Sequence, residues 1–103
     1  MSFTTTVIYP RKDGATFDLD YYNKTHMPLV EKLWKSFGMK TWHVVEFAPD
    51  APYSIGAFMD WESQEAFGKA SSDEATRNEI FGDVKNFSNV DPVFLAGKVV
   101  AKQ

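Results

Sequence analysis

The chain has 103 residues, which is enough for a single domain and too few for two, so we expect one domain over residues 1–103. Its formal net charge is −3 and its eleven Lys and Arg residues are scattered, which argues against a nucleic-acid or anionic-membrane partner. It contains no cysteine, so disulfide and thiolate chemistry are excluded. Because the N-terminal residues show no signal-peptide pattern and no apolar run approaches about 18 residues, we expect a cytoplasmic protein.

The first half of the chain predicts one strand and one long helix. Residues 3–9 are rich in Thr, Val, Ile and aromatic side chains, which is typical of a strand. A helix is expected from its N-cap Asp18 as far as residue 37, where Gly38 is suited to end it. Pro28 cannot donate the backbone hydrogen bond expected of it inside this helix. We therefore expect a kink or a break close to His26.

The second half predicts three further strands, over residues 40–47, 53–61 and 93–101. Two short helices are expected between the last two of these strands. The order is then β-α-β-β-α-β, with the second crossover split into two helical pieces. This order predicts an α+β ferredoxin-like sandwich, in which a four-stranded antiparallel sheet carries helices on one face.

Capping patterns predict where the two short helices begin. Ser63 is the expected N-cap of the first of them. Residues 71–74 fit a capping box for the second. On that second helix, Ile80, Phe81 and Val84 are expected to be buried.

Both faces of the predicted sheet are apolar. In the third strand Ile55, Ala57 and Met59 face one way, and Gly56 and Phe58 face the other. Because right-handed crossovers put both helical layers on the same side, the other side is uncovered unless a partner covers it. We therefore expect a homodimer formed through the sheet face. The alternative is a monomer whose open sheet binds a ligand directly.

His26 and Tyr22 are the candidate catalytic residues. They lie on one apolar stripe of the predicted first helix, whose members recur at steps of three and four. An imidazole with a pKa near 6.5 can give or take a proton at physiological pH, and a tyrosine beside it can position a ligand. The alternative for His26 is a core histidine whose ring is hydrogen bonded to a backbone carbonyl.

Aromatic residues make up 16% of the chain, more than one small core requires, so we expect a pocket for an apolar small molecule. Tyr9, Trp42, Trp61 and Phe87 are candidate substrate-binding residues, because they lie near the ends of predicted elements. His43 is expected to pack or to face solvent. The histidines lack metal-ligand spacing and no GxGxxG, Walker A or GxSxG motif occurs, so we expect neither a metal nor another cofactor.

The same β-α-β-β-α-β order occurs in the RNA-recognition module, which is a competing interpretation. Residues 57–61 echo the second half of the signature that this module carries on its third strand. The basic residue, the glycine and the aromatic residue of the first half are absent. Since the chain is also acidic, we expect no RNA binding.

The sequence resembles the EthD family of the dimeric α/β-barrel superfamily. The first half follows the family signature in three segments, and two later segments match further elements, with Trp61 where the family commonly has Phe. These segments are 9–14 (Y-P-x-x-x-G), 17–22 (F-D-x-x-Y-Y), 26–30 (H-x-P-L-V), 61–67 (F-x-S-x-E-A-F) and 83–87 (D-x-x-N-F). The resemblance covers nearly the whole chain.

The resemblance implies a homodimer of ferredoxin-like subunits, each with a cleft between sheet and helices. In several related barrels a histidine of the first helix is the acid–base group, and His26 has the matching position. The family is named for a protein encoded with an ethyl tert-butyl ether-degrading system. Its members are often labelled reductases, although their own reaction is generally undefined. Related barrels include muconolactone isomerases, polyketide cyclases or decarboxylases, and cofactor-free monooxygenases.

Three functions remain open at this point. The first is a cofactor-independent enzyme that isomerises, cyclises or decarboxylates a small aromatic or alicyclic carbonyl compound or lactone, with His26 moving the proton. The second is a non-catalytic binding protein that accompanies a degradation pathway. The third is an oxidoreductase, either a reductase or a monooxygenase-type barrel that uses haem or oxygen.

Overall fold

The computed structural model describes residues 2–103, and Met1, the first residue of the expected domain, lies outside the described part. The strands are β1 (Phe3–Pro10), β2 (Met39–Glu46), β3 (Tyr53–Trp61) and β4 (Val93–Lys98). The α-helices are α1 (Leu19–Tyr21), α2 (Met27–Trp34), α3 (Gln64–Ser72) and α4 (Glu74–Gly82). A π-helical segment, Tyr22–His26, joins α1 to α2, and 3-10 turns cover Lys35–Phe37 and Val84–Asn86. No helix among residues 2–103 is long and apolar enough to cross a bilayer.

The four strands form one antiparallel sheet in the order β2-β3-β1-β4, which confirms the predicted α+β ferredoxin-like fold. The predicted third strand is confirmed over its full length, and β2 lies one residue earlier than predicted. The prediction that the last strand continues to residue 101 is wrong. In β4, Lys98 pairs with Phe3, the first residue of β1, and beyond this pair the N–H of Val99 donates to the carbonyl of Ser2 at 3.0 Å without extending the strand.

One face of the sheet forms the core with the helices. The buried strand residues on this side are Phe3, Thr5, Tyr9, Met39, Ile55, Ala57, Met59 and Trp61. From the helical side they meet Tyr22, Met27, Val30, Trp34, Ala66, Ala70 and Ile80. Alternation along each strand therefore separates a buried face from a second face on which no helix packs.

The second face, here called the open face, is apolar and only partly buried. Cross-strand register places Ile8, Val45, Phe58, Val93 and Leu95 on it. Val93 and Leu95 of the edge strand are 38% and 54% exposed. The predicted second apolar face is thus present, and no helix among residues 2–103 packs on it.

The predicted disturbance near His26 is confirmed, and it takes the form of a π-helical segment. The N–H of Met27 donates to the carbonyl of Tyr22, five residues back, immediately before Pro28. A wider turn at this place accommodates a residue that has no N–H to donate. Within this segment the ring of Tyr22 stacks on that of His26, with centroids 5.1 Å apart and an interplanar angle of 18°.

The structure confirms two of the predicted helix N-caps and contradicts the third. The carboxylate of Asp18 accepts from the N–H of Tyr21, and the hydroxyl of Ser63 accepts from the N–H of Ala66, so both predicted caps are confirmed. The capping box over residues 71–74 is wrong. Ser71 and Ser72 belong to the last turn of α3, where their hydroxyls donate to the carbonyl of Gly68.

Asp73 is the N-cap of α4, because its carboxylate accepts from the N–H of Thr76 at 3.1 Å. The expected burial of Phe81 is also wrong, since its side chain is 45% exposed. Ile80 turns toward the core, and the next residue of a helix points about 100° away from it.

Gly38 ends the first helical region with a positive φ of 120°, and a Cβ there would lie 2.8 Å from the Cβ of Ala66. We expect Gly38→Ala to lower the free energy of unfolding by more than about 1 kcal/mol, since both the backbone conformation and the space exclude a side chain. Chemical denaturation measures this. Gly68→Ala is the control, because that glycine has open space inside α3 and the change should stabilise by about 0.5–1 kcal/mol. Equal stability of the two variants would contradict the expectation.

Candidate active site

A small cavity lies between the helix-facing side of the sheet, α2 and α4. Its volume is ≈ 20 Å³, which is space for about one water molecule. Its walls are mainly aliphatic and aromatic. The lining residues are Val7, Tyr9, Tyr22, His26, Met27, Val30, Trp34, Met59, Ile80, Phe81, Val84 and Pro92.

His26 lies at the end of the π-helical segment and is only 4% exposed. Aromatic rings enclose its imidazole, because Tyr22 stacks on it and the ring of Phe87 lies 4.6 Å away, centroid to centroid. The expected alternative, a ring bonded to a backbone carbonyl, is not what the structure has. Nδ1 of His26 lies 2.8 Å from Oδ2 of Asp83 instead.

Asp83 follows α4 and is held by three side chains. The hydroxyl of Tyr21 donates to its Oδ1 at 2.6 Å, and the amide of Asn86 donates to the same oxygen at 2.8 Å. The remaining oxygen, Oδ2, faces His26. Because both oxygens have partners, the carboxylate keeps one orientation and holds the imidazole in one orientation as well.

The pKa values of this pair fix its charge state. Burial lowers the pKa of His26 below its ordinary value, and the hydrogen bond and charge of Asp83 offset this only in part. For Asp83, burial raises the pKa, but the hydrogen bonds from its three partners outweigh that effect and the pKa lies below its ordinary value. At neutral pH the pair is therefore a carboxylate beside a neutral imidazole.

A carboxylate only accepts hydrogen bonds, so the proton of the neutral ring resides on Nδ1. Nε2 then carries a lone pair. A neutral histidine that lines an apolar cavity and has a carboxylate on Nδ1 is suited to general-base catalysis through Nε2.

Tyr9 and Tyr22 line the same cavity with neutral phenols. Burial raises the pKa of both hydroxyls far above the ordinary value, and for Tyr9 the neighbouring Tyr22 raises it further. These residues therefore offer hydroxyl groups as hydrogen-bond donors or acceptors. They are not proton-accepting phenolates at physiological pH.

Trp34 lines the cavity and carries an unpaired polar group. It is 3% exposed, and its Nε1 is buried without a hydrogen-bond partner among residues 2–103. The indole N–H groups of the other tryptophans are paired: that of Trp42 donates to Glu31 at 2.8 Å and that of Trp61 to Thr5 at 3.0 Å. Leaving a buried donor unpaired costs about 1–3 kcal/mol, so this N–H is available to an acceptor inside the cavity.

Three of the predicted site residues, Tyr9, Tyr22 and His26, come together on the cavity wall. Phe87 packs against the far side of the imidazole. The structure does not bring the two predicted tryptophans to this cavity. Trp61 is buried under α3, and Trp42 of the edge strand β2 is hydrogen bonded to Glu31 of α2.

His43, the other histidine, lies on the open face. Its ring stacks on that of Phe58, with centroids 5.1 Å apart. It is therefore separated from the cavity by the sheet.

Asp83, Tyr21, Asn86 and Trp34 were not predicted as site residues. A signal for two of them is present in the D-x-x-N-F segment, whose Asp and Asn are the pair that meets in the carboxylate network. Trp34 carries no such signal, because only its surroundings distinguish it from the other tryptophans.

Comparison with known proteins adds the family context. No family model matches the sequence, and no curated protein sequence matches it. Among solved structures, an EthD-like protein from Ralstonia eutropha superimposes with a TM-score of 0.83 and 28% identity, over 99% of this chain and 95% of that one. The chain is EthD-like.

Two more distant structures share the fold with the EthD-like chain. An EthD family protein from Bacillus halodurans matches with a TM-score of 0.72 and 17% identity, over 97% of this chain and 100% of that one. A dimeric ferredoxin-like protein from an uncultured marine organism matches with a TM-score of 0.68 and 13% identity, over 98% and 97%. The predicted resemblance to the EthD family is thereby confirmed.

Proposed function

We propose that this EthD-like chain binds an apolar carbonyl compound in the cavity and that His26 moves a proton to and from a carbon next to the carbonyl group. The observation that carries the proposal is the buried pair of His26 and Asp83, with Nδ1 2.8 Å from the carboxylate and the ring on the cavity wall. A buried titratable pair in a cleft is typical of functional sites.

In the proposed step, Nε2 of His26 takes a proton from the α-carbon of the ligand. The C–H bond breaks, an N–H bond forms, and the electron pair is delocalised onto the carbonyl oxygen as an enolate. The carboxylate of Asp83 stabilises the imidazolium that results. Return of the proton to another atom of the enolate isomerises the ligand, and no oxidant, reductant or cofactor enters the balance.

A ligand larger than a water molecule needs more room than ≈ 20 Å³. Phe81 and Pro92 close the cavity toward the surface, and Phe81 is 45% exposed. Ile80 is the one fully buried residue of α4, so few packed contacts resist an outward movement of this part. We therefore propose that the ligand enters past Phe81 and Pro92.

Deuterium uptake tests the proposed chemistry without knowledge of the natural substrate. α-Tetralone is incubated with the protein in D₂O, and loss of the α-proton signal is followed by NMR. We expect exchange well above that in buffer alone, with a rate that saturates with ketone concentration. Saturable binding without accelerated exchange would contradict the catalytic role and favour a non-catalytic binding protein.

We further propose that the chain forms a homodimer through the open face. Solved dimeric ferredoxin-like proteins share its fold. Leu95 is 54% exposed on the open face, where it pairs with Thr6, and the apolar pair of Ile8 and Val93 lies next to it. A patch of this kind on a small protein is typical of an interface.

Leu95→Lys is expected to convert the dimer to a monomer, because it places an ammonium group in the proposed interface. Sedimentation equilibrium measures the subunit number at several concentrations. Val100→Lys is the matched control, since that side chain is 78% exposed and lies beyond the end of β4. A wild-type protein that stays monomeric at high concentration would overturn the dimer.

A further inference from the structure

Trp34 also lines the cavity, but the proposed proton transfer by His26 assigns it no role. Its side chain lines the cavity together with His26, and its indole N–H is buried with no acceptor among residues 2–103. Buried donors are nearly always paired in folded proteins, so an unpaired one on a cavity wall indicates where an acceptor binds. The other two indole N–H groups, which have protein acceptors, show that this chain pairs such donors where no ligand is needed.

The charges around the cavity restrict the chemistry of that acceptor. No Lys or Arg lines it, and the imidazole on its wall is hydrogen bonded to the carboxylate of Asp83. An anionic ligand would lose its hydration, find no cation to pair with, and lie close to that negative charge. The acceptor is therefore a neutral oxygen.

The cavity is small enough for one ligand group to meet both polar side chains. Its ≈ 20 Å³ hold about one water molecule, and both Trp34 and His26 line it. A carbonyl oxygen at the indole and the adjacent carbon at the imidazole satisfy both groups at once. The same N–H would then donate to the oxygen as it becomes an enolate.

We propose that the indole N–H of Trp34 binds the carbonyl oxygen of a neutral ketone, lactone or ester, an inference that rests on the proposed function. This hydrogen bond selects neutral carbonyl compounds over hydrocarbons and carboxylates. Trp34 is thereby assigned as a specificity-determining residue of the cavity.

Three probes of one skeleton test this: α-tetralone, 1-methylenetetralin, which has a carbon in place of the oxygen, and the anion tetralin-1-carboxylate. Each is titrated into ¹⁵N-labelled protein, and the indole N–H resonances, assigned with Trp34→Phe and Trp42→Phe, are followed. We expect the ketone to bind about tenfold more tightly than the hydrocarbon and to move the Trp34 resonance downfield, while that of Trp42 stays in place. We expect the carboxylate to bind most weakly.

Trp34→Phe keeps an aromatic ring and removes the donor. We expect it to bind the hydrocarbon as the wild type does, which shows that the cavity is intact, and to lose the tenfold preference for the ketone. If the wild type bound the ketone and the hydrocarbon equally and the Trp34 resonance did not move, the inference would be overturned. The proposed function would not be affected by that result. A water molecule, in place of the ketone oxygen, on the Trp34 N–H at saturating ketone would overturn the inference in the same way. Failure of all probes to bind, together with no catalysed exchange, would overturn both.

Discussion

Replacing His26 with glutamine is expected to lower catalysed deuterium uptake into α-tetralone by at least about 100-fold, the range that general acid–base groups supply. Glutamine keeps a polar side chain at this position, but no group with a suitable pKa remains on the cavity wall. The initial rate of exchange at saturating ketone, measured by NMR, gives the effect.

His43→Gln is the matched control for this variant. It makes the same chemical change on the open face, where the ring of His43 stacks on Phe58 and the sheet separates it from the cavity. We expect its exchange rate to remain within about twofold of the wild type, with the subunit number checked in parallel. If the His26 and His43 variants exchanged equally fast, His26 would not be the base.

Asp83→Asn is expected to lower the maximal exchange rate by about 10- to 100-fold, which is the usual effect of losing a carboxylate that orients a functional histidine. It also changes the pH dependence. Exchange needs the neutral imidazole, so in the wild type the rate falls as the pH drops through the pKa of His26, which lies below 6.5. Since Asp83 raises that pKa, its loss moves the midpoint to lower pH.

The pH–rate profile of wild type and variant, recorded with one ketone at saturation, measures both effects. Asp20→Asn is the control, because that carboxylate is exposed on the same helical region and pairs with Lys24. We expect the control to retain the wild-type plateau and midpoint. The proposed role of the His26–Asp83 pair would be contradicted if Asp83→Asn raised the pH midpoint of the profile or left its plateau rate unchanged.

Much of the fold was predictable because its signals are local. The N-cap at Asp18 and the break before Pro28 follow from backbone hydrogen bonding within a few residues. The wrong predictions arose where a neighbouring element decides. The end of β4 depends on where β1 begins, and Phe81 is exposed because Ile80 takes the place in the core.

The candidate site was predictable to a smaller extent. His26 was identified from its position on an apolar stripe and from the family resemblance, and Tyr9 and Tyr22 line the same cavity. The carboxylate that orients His26 was not identified, although it lies in a segment that resembles the family. Asp83 and His26 are 57 residues apart, and no period or spacing relates positions on two different crossovers.

The sequence by itself determined the order of strands and helices, the place of the helix break and the two apolar faces of the sheet. These depend on side-chain periodicity, capping and proline chemistry, which act over a few residues. Only the tertiary structure decided that the imidazole of His26 meets Asp83 and that the indole of Trp34 is left without an acceptor beside it. The reason is physical: burial and pairing of a polar atom depend on which elements pack around it, and the chain specifies that packing only as a whole.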